Sequence, residues 1–359
     1  MNKVLIIFII SIVNVITILK KFFKRKVKDE IKVIIGGRDN NKPLFKSSFI
    51  QKWYAKDFSY ERWVEELRML QDVGIEEVIL QSVVDTQNKD AVYNTMIEGF
   101  GSSNKDMIKY ALDAAEYVGI KVRVGLGESE DWWEKGWYDF EWLSKEAEIN
   151  KKIVKEIFEK YGNHKAFGGW YIPYEFSEFF TTTKSQQSNL NLFYKSISEE
   201  IKGKNKIFNI MIAPFFSSNR FKIGSMELWS KKIQKVLVDT SIDIVSLQDS
   251  IGVGYNTLEN VSALFYYTKQ ATDSLGITLY ADTETFNLTE KGNIPVDLEK
   301  ILKQMSEVYG YVDGFVAFSI NHFQNKNEED QMRHYDNYLE YYNKIKIEEL
   351  FEKITQNIS

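Results

Sequence analysis

The sequence predicts a (β/α)8 barrel, and three observations lead there. Apolar periodicity alternates between strand and helix from about Ile31 to Ile345 with no Ser/Gly/Pro-rich linker. The alternation counts eight strand and helix pairs, the number that closes a parallel barrel. The segments after the strands are longer and richer in aromatic and polar residues than those before them, and in this fold the former build the functional face. At 44% apolar and 27% charged residues, the 359-residue chain can fill so large a core and is not globally disordered.

In chain order, Ser48 to Gln51 reads as the first strand, and Tyr60 to Val73 as its helix, with Trp63, Leu67 and Leu70 on one face. Ile75 to Gln81 and Asn104 to Val118 form the second pair, Lys121 to Gly127 and Tyr138 to Tyr161 the third. Gly169 to Glu175 and Leu190 to Ile201 follow, then Ile207 to Ala213 with Met226 to Val238, and Asp243 to Gln248 with Leu258 to Leu275. Ile277 to Glu284 with Val296 to Val308, and Gly314 to Ser319 with Gln331 to Ile345, complete the set. Glycine ends helices at Val73-Gly74 and Val118-Gly119, where it can take the left-handed cap. The expected layout is therefore one barrel over residues 31–359 behind a separate segment, 1–30.

That segment reads as a membrane anchor. Val4 to Leu19 is interrupted only by Ser11, Asn14 and Thr17, and a basic run from Lys20 to Lys26 follows. As a helix its sixteen residues rise about 24 Å, which Phe22 and Phe23 could extend. With no small-x-small cleavage site, an uncleaved signal anchor is expected. The basic run after the apolar one would leave the barrel in the cytoplasm. Lys3, the amino terminus and the absence of cysteine argue the other way. The expectation is a membrane-anchored barrel outside the cell, or a secreted one.

A net charge of -5 excludes the basic footprint of a nucleic-acid binder. No cysteine means no disulfide, thiolate nucleophile or cysteine metal site; three histidines and no dense acidic cluster give no reason to expect a metal or any cofactor. Gly125-Leu126-Gly127 lacks the third glycine of a dinucleotide fingerprint.

Strand parity assigns the interior. In the seventh strand Thr278, Tyr280, Asp282 and Glu284 point inward, with Glu284 at the mouth; in the fourth, Gly169, Tyr171, Pro173 and Glu175 do. The same rule turns Gln51, Trp53, Gln81, Arg123, Asn209 and Gln248 inward, and places an ion pair between Arg123 and Asp282 or Glu284. Two glutamates on nearly opposite strands suit glycoside hydrolysis, where one carboxyl attacks the anomeric carbon and the other protonates the leaving oxygen. Trp53, Trp132, Trp133, Trp137, Tyr174 and Phe286 are candidates for stacking on sugar rings. Gln81, Gln248, Asn321 and His322 are candidates for binding hydroxyls, with Gln51, Glu128, Tyr280 and Asp282 also placed at the substrate.

Glutamates closing strands four and seven resemble the arrangement of clan A glycoside hydrolases. More narrowly, Ser48-Phe49-Ile50-Gln51-Lys52-Trp53, Gly169-Trp170-Tyr171-Ile172-Pro173-Tyr174-Glu175 and Ala281-Asp282-Thr283-Glu284 resemble a bacterial family of glycosidase-like barrels catalogued as a domain of unknown function (DUF4434-type). The clan resemblance implies that Glu175 is the acid/base and Glu284 the nucleophile. Clan A usually has asparagine just before the acid/base, where this chain has Tyr174. The expected activity is hydrolysis of an extracellular polysaccharide, such as an exopolysaccharide, by double displacement. The alternative is a non-catalytic carbohydrate-binding barrel that assists polysaccharide synthesis or export.

Overall fold

The computed structural model describes residues 42–218 and 225–358. Eight parallel strands close into one barrel: β1 Ser47–Ile50, β2 Glu77–Leu80, β3 Lys121–Gly125, β4 Phe167–Tyr171, β5 Asn209–Ile212, β6 Ile244–Gln248, β7 Thr278–Glu284 and β8 Gly314–Phe318. Each strand pairs with its sequence neighbours, and β1 closes the ring on β8 through Ser47 opposite Val316. The outer helices are α1 Tyr60–Asp72, α2 Met107–Val118, α3 Phe140–Tyr161, α4 Lys184–Lys204, α5 Met226–Leu237, α6 Leu258–Leu275, α7 Leu298–Val308 and α8 Met332–Ile358. The expected (β/α)8 barrel is thus the fold. The proposed anchor at 1–30 lies outside the described residues, and among those residues no helix is long and apolar enough to cross a membrane.

Local chemistry explains the boundaries. Ser59, Asp106, Asp139, Thr183 and Ser225 cap α1 to α5, each accepting a backbone N–H from the first turn of its helix. Gly74 and Gly119 take positive φ at the ends of α1 and α2, as the sequence predicts. α4 begins six residues earlier than apolar periodicity suggests, because Thr183 and Gln186 form a capping box in a polar stretch.

Two layers of apolar packing follow from strand parity. Trp170, Ile172, Val245, Leu247, Leu279 and Ala281 face the helices in the main core. Phe49, Ile79, Tyr171, Met211, Ile244 and Val316 fill the barrel interior. Beneath them Arg123 plugs the end where the strands begin. Its guanidinium pairs with Glu77 at 3.0 Å and donates to the carbonyls of Asn209 (2.8 Å) and Trp170 (3.3 Å). The expected pairing of Arg123 with Asp282 or Glu284 is corrected: those carboxyls lie toward the other end of the strands, and Glu77 on neighbouring β2 is the partner.

The loops after the strands carry further structure. A small sheet joins Val84–Asp85, Asp90–Ala91, Gly101–Ser102 and Gly127–Glu128; a hairpin pairs Phe286–Thr289 with Gly292–Pro295. These elements sit on the functional face.

Candidate functional site

Glu284 is the last residue of β7 and is 6% exposed. Its carboxylate accepts the Val253 N–H at 2.8 Å and a second backbone N–H from Gly252, both in the loop after β6. Gly252 is required there: a Cβ at this position would lie 2.2 Å from the Phe286 carbonyl oxygen and 2.8 Å from the Glu284 carboxylate. Asp249 stands behind Glu284, taking the Gln304 amide at 2.8 Å and the Ile251 N–H at 3.2 Å; Gln304 also donates to the Glu284 carbonyl at 3.1 Å.

Glu175 stands across the mouth, on the loop after β4. The strand was expected to reach Glu175 but ends at Tyr171, because Pro173 has no N–H to continue the ladder. The Ile172 N–H still bonds the Met211 carbonyl at 3.0 Å, so the backbone keeps its direction for one more residue. Trp132 Nε1 then donates to the Glu175 carbonyl at 2.6 Å, and the Tyr194 hydroxyl donates to the Tyr174 carbonyl. Only the inward Glu175 side chain remains free to reach the mouth, where the Gln248 amide bonds its carboxyl.

Burial dominates the electrostatics. It raises Glu175 to about 7, against the Gln248 hydrogen bond that lowers it and with a smaller push from the Glu128 charge. Burial and then the charge of Asp249 raise Glu284 to about 8, while the Val253 and Gly252 amides oppose the rise; Glu175 adds to it. Burial raises Asp249 to about 6, with Gln304 opposing. Asp282, one layer beneath Glu284, is raised well above the carboxylate range by burial and then by Glu175, Asp249 and Glu284. Four carboxyls therefore share one low-dielectric space and cannot all ionise at neutral pH.

The remaining candidates divide into those at the mouth and those the fold uses elsewhere. The Gln51 amide donates to Gln81 at 2.6 Å and receives Trp53 Nε1 at 3.0 Å, which orients an indole that is 64% exposed. The Trp53 face stacks on His322 at 5.1 Å. His322 is buried, accepts the Gln51 N–H through Nε2 at 3.2 Å, and is held neutral by burial, its value lowered to about 4. Glu128 accepts the Ser82 hydroxyl at 2.5 Å and pairs with Lys52 at 3.1 Å. Trp133 is 47% exposed and lies 6.2 Å from the partly buried Phe215.

Five expected contacts are corrected. Tyr174 points outward: its ring is buried against Trp132 and Phe193, and its hydroxyl bonds Glu146 of α3. Trp132 is 2% exposed and stacks on Phe180, so it braces the Glu175 loop instead of facing a sugar. Phe286 is buried against Phe323. Asn321 turns toward α1, donating to Glu66 at 2.6 Å in a buried network with Asn325. Tyr280 lies at the opposite end of the barrel, near Glu77, Arg123 and Asp313.

Sequence reading gave Asp249 no firm place, because it falls one residue past the inward parity of β6; its proximity to Glu284 depends on the turn that follows. Lys52 and the amides of Gly252 and Val253 were missed. Backbone donors leave no side-chain signature, and the only clue was a glycine in a long loop.

No curated protein matches this sequence. Among solved structures, the chain is similar to a candidate alpha-L-fucosidase from Bacteroides thetaiotaomicron, at 22% identity and a TM-score of 0.72, covering 85% of this chain and 94% of that one. It is also similar to an endo-1,4-beta-D-mannanase from Thermotoga petrophila (17% identity, TM-score 0.53, 77% and 88% covered). An endo-1,4-beta-mannanase from Rhizomucor miehei aligns at 12% identity with a TM-score of 0.56, over 85% and 96%. At these identities the likeness is one of fold. The family model described as a domain of unknown function, DUF4434, matches residues 45–331, and the chain belongs to that family.

Proposed function

We propose that the protein is a glycoside hydrolase that cleaves a polysaccharide or oligosaccharide by double displacement. The observation that carries the reading is the meeting of Glu284, at the end of β7, with Glu175, on the loop after β4, at one mouth where the Glu175 charge acts on Glu284. Sugar-cleaving enzymes of the same fold, the mannanases above, support it.

Donor geometry, not the height of either pKa, separates the roles. Two backbone N–H groups address the Glu284 carboxylate, which favours its ionised form for attack on the anomeric carbon. Burial raises Glu175 to about 7, as suits a group that gives and takes a proton in one cycle. In the first step a C–O bond forms between Glu284 and the anomeric carbon. The bond to the leaving oxygen breaks as Glu175 protonates it. In the second step Glu175 removes a proton from water, which attacks the same carbon and frees Glu284. The exposed faces of Trp53 and Trp133 are suited to flanking sugar units. An exported or membrane-anchored location is part of the proposal and is supported by the apolar run from Val4 to Leu19.

The test is reducing-end release from a panel of bacterial exopolysaccharides and mannans. Glu175→Gln should cost roughly 10²–10⁴-fold in rate. Glu284→Gln should abolish turnover. Wild-type rates in either variant would remove that residue from the mechanism, and saturable binding without new reducing ends would make the barrel a binding module.

A further inference from the structure

A double displacement uses two carboxyls, and this mouth holds four. Asp249 is accounted for by Gln304 and the Ile251 amide. Asp282 is not. It is 3% exposed, points inward from β7 between Gln248 of β6 and Val316 of β8, and its Oδ1 has no hydrogen-bond partner among the described residues. Leaving a buried carboxyl oxygen unpaired is costly. Such an arrangement calls for a partner that arrives with the substrate.

The partner's charge follows from what surrounds Asp282. The groups that act on it are Glu175, Asp249 and Glu284, all acidic. No lysine or arginine is among the charges acting on Asp282 or Glu175. Lys52 is engaged by Glu128 and Asp85, Lys300 bonds Asn287 and its charge acts on Asp249 and not on Asp282, and Arg123 is held at the other end of the barrel. Among the described residues no group of three or more His, Cys, Asp or Glu is arranged to hold a metal ion. A proton can neutralise Asp282 while the site is empty, and an organic ammonium can replace it. Uronic, sulfated or phosphorylated sugars would meet like charge here.

Resting on the hydrolase reading above, we propose that the substrate is a glycan with free amino groups, an amino-sugar polymer that is at least partly unacetylated. The sugar in the cleavage site places its ammonium on Asp282 Oδ1. The ammonium supplies the donor and the positive charge that no side chain brings to Asp282, and acetylation removes both. The unpaired oxygen thus becomes the element that tells an amine from an amide.

The experiment measures binding to the full chain of matched oligosaccharide pairs, amine and N-acetylated, in gluco and galacto configuration and in 1,4 and 1,6 linkage. Quenching of tryptophan fluorescence reports binding, and product release is followed in parallel. At least one amine form should bind tenfold or more tighter than its acetylated twin, and Asp282→Asn should bring that pair within about threefold. Failure of every amine form to exceed its twin, or an undiminished preference in a folded Asp282→Asn, overturns the inference. The comparison between twins on the unaltered chain holds whether or not the variant folds. Glu175- and Glu284-dependent cleavage with no amine preference would sink this inference and leave the hydrolase reading standing. Amine-selective, Asp282-dependent binding without cleavage would do the reverse.

Discussion

Glu175 carries the sharpest consequence at the scale of single residues. As the proposed proton donor it must be protonated at the start of each cycle, and burial raises its value to about 7. Glu284, raised to about 8, must be ionised to attack, so activity should peak between about pH 7 and pH 8 and fall on either side, and Glu175→Gln should remove the alkaline limb from the pH profile of whatever rate remains. A limb that persists in the variant would assign it to another group. Stability follows the same protons. The carboxyls of Glu175, Asp249, Asp282 and Glu284 bind protons more tightly folded than unfolded, where they titrate near 4. Their stabilisation is complete below that value and is lost as pH rises through 6 to 8. The melting temperature should drop between pH 5 and pH 8, and Asp282→Asn, which cannot ionise, should flatten the drop. A melting temperature that rises over this range would contradict the four-carboxyl picture.

Elements place these residues by means that differ in how far a sequence shows them. Parity along β7 was enough to order Asp282 and Glu284 inward at successive depths, since side-chain direction in a strand follows from position alone. Past the end of a strand that rule stops. Alternation turns Tyr174 away from Glu175, yet the use of Tyr174 follows from its meeting with Glu146 on α3, a contact between distant parts of the chain. Asn321 was misjudged for the same reason: its partner Glu66 lies on α1, 255 residues away in sequence. Glu66 also pairs with Arg62 at 2.6 Å and anchors the turn after β8 that presents His322. Glu66→Ala should lower stability by about 2 kcal/mol, the cost of removing hydrogen bonds to a buried charge. It should also loosen the seat of Trp53, read as increased quenching of its fluorescence by iodide. In the loop after β6, Gly252→Ala would drive a methyl group into the Phe286 carbonyl and should impair turnover with little change in helix content by circular dichroism.

The whole molecule depends on an element outside the family-matched stretch. Residues 45–331 exclude α8, yet α8 holds the start of the barrel. The Tyr338 hydroxyl accepts the Phe45 N–H at 2.9 Å, the two rings lie 5.4 Å apart, and the Tyr341 hydroxyl donates to the Pro43 carbonyl at 3.1 Å. A chain ending at Gln331 exposes that face and leaves β1, the closing strand, without its cover. It should lose the sharp thermal transition of the full chain; an unchanged transition would show that the barrel closes without α8.

The guanidinium seal of Arg123 has a consequence for traffic. With Arg123 held by Glu77 and two carbonyls, and Tyr171 among the apolar side chains that fill the interior, the barrel is a well with a floor and not a tunnel. A chain cannot be reeled through it. On the proposed reading, a polymer would lie across the rim, and both products of a cut would leave from the same side of the barrel.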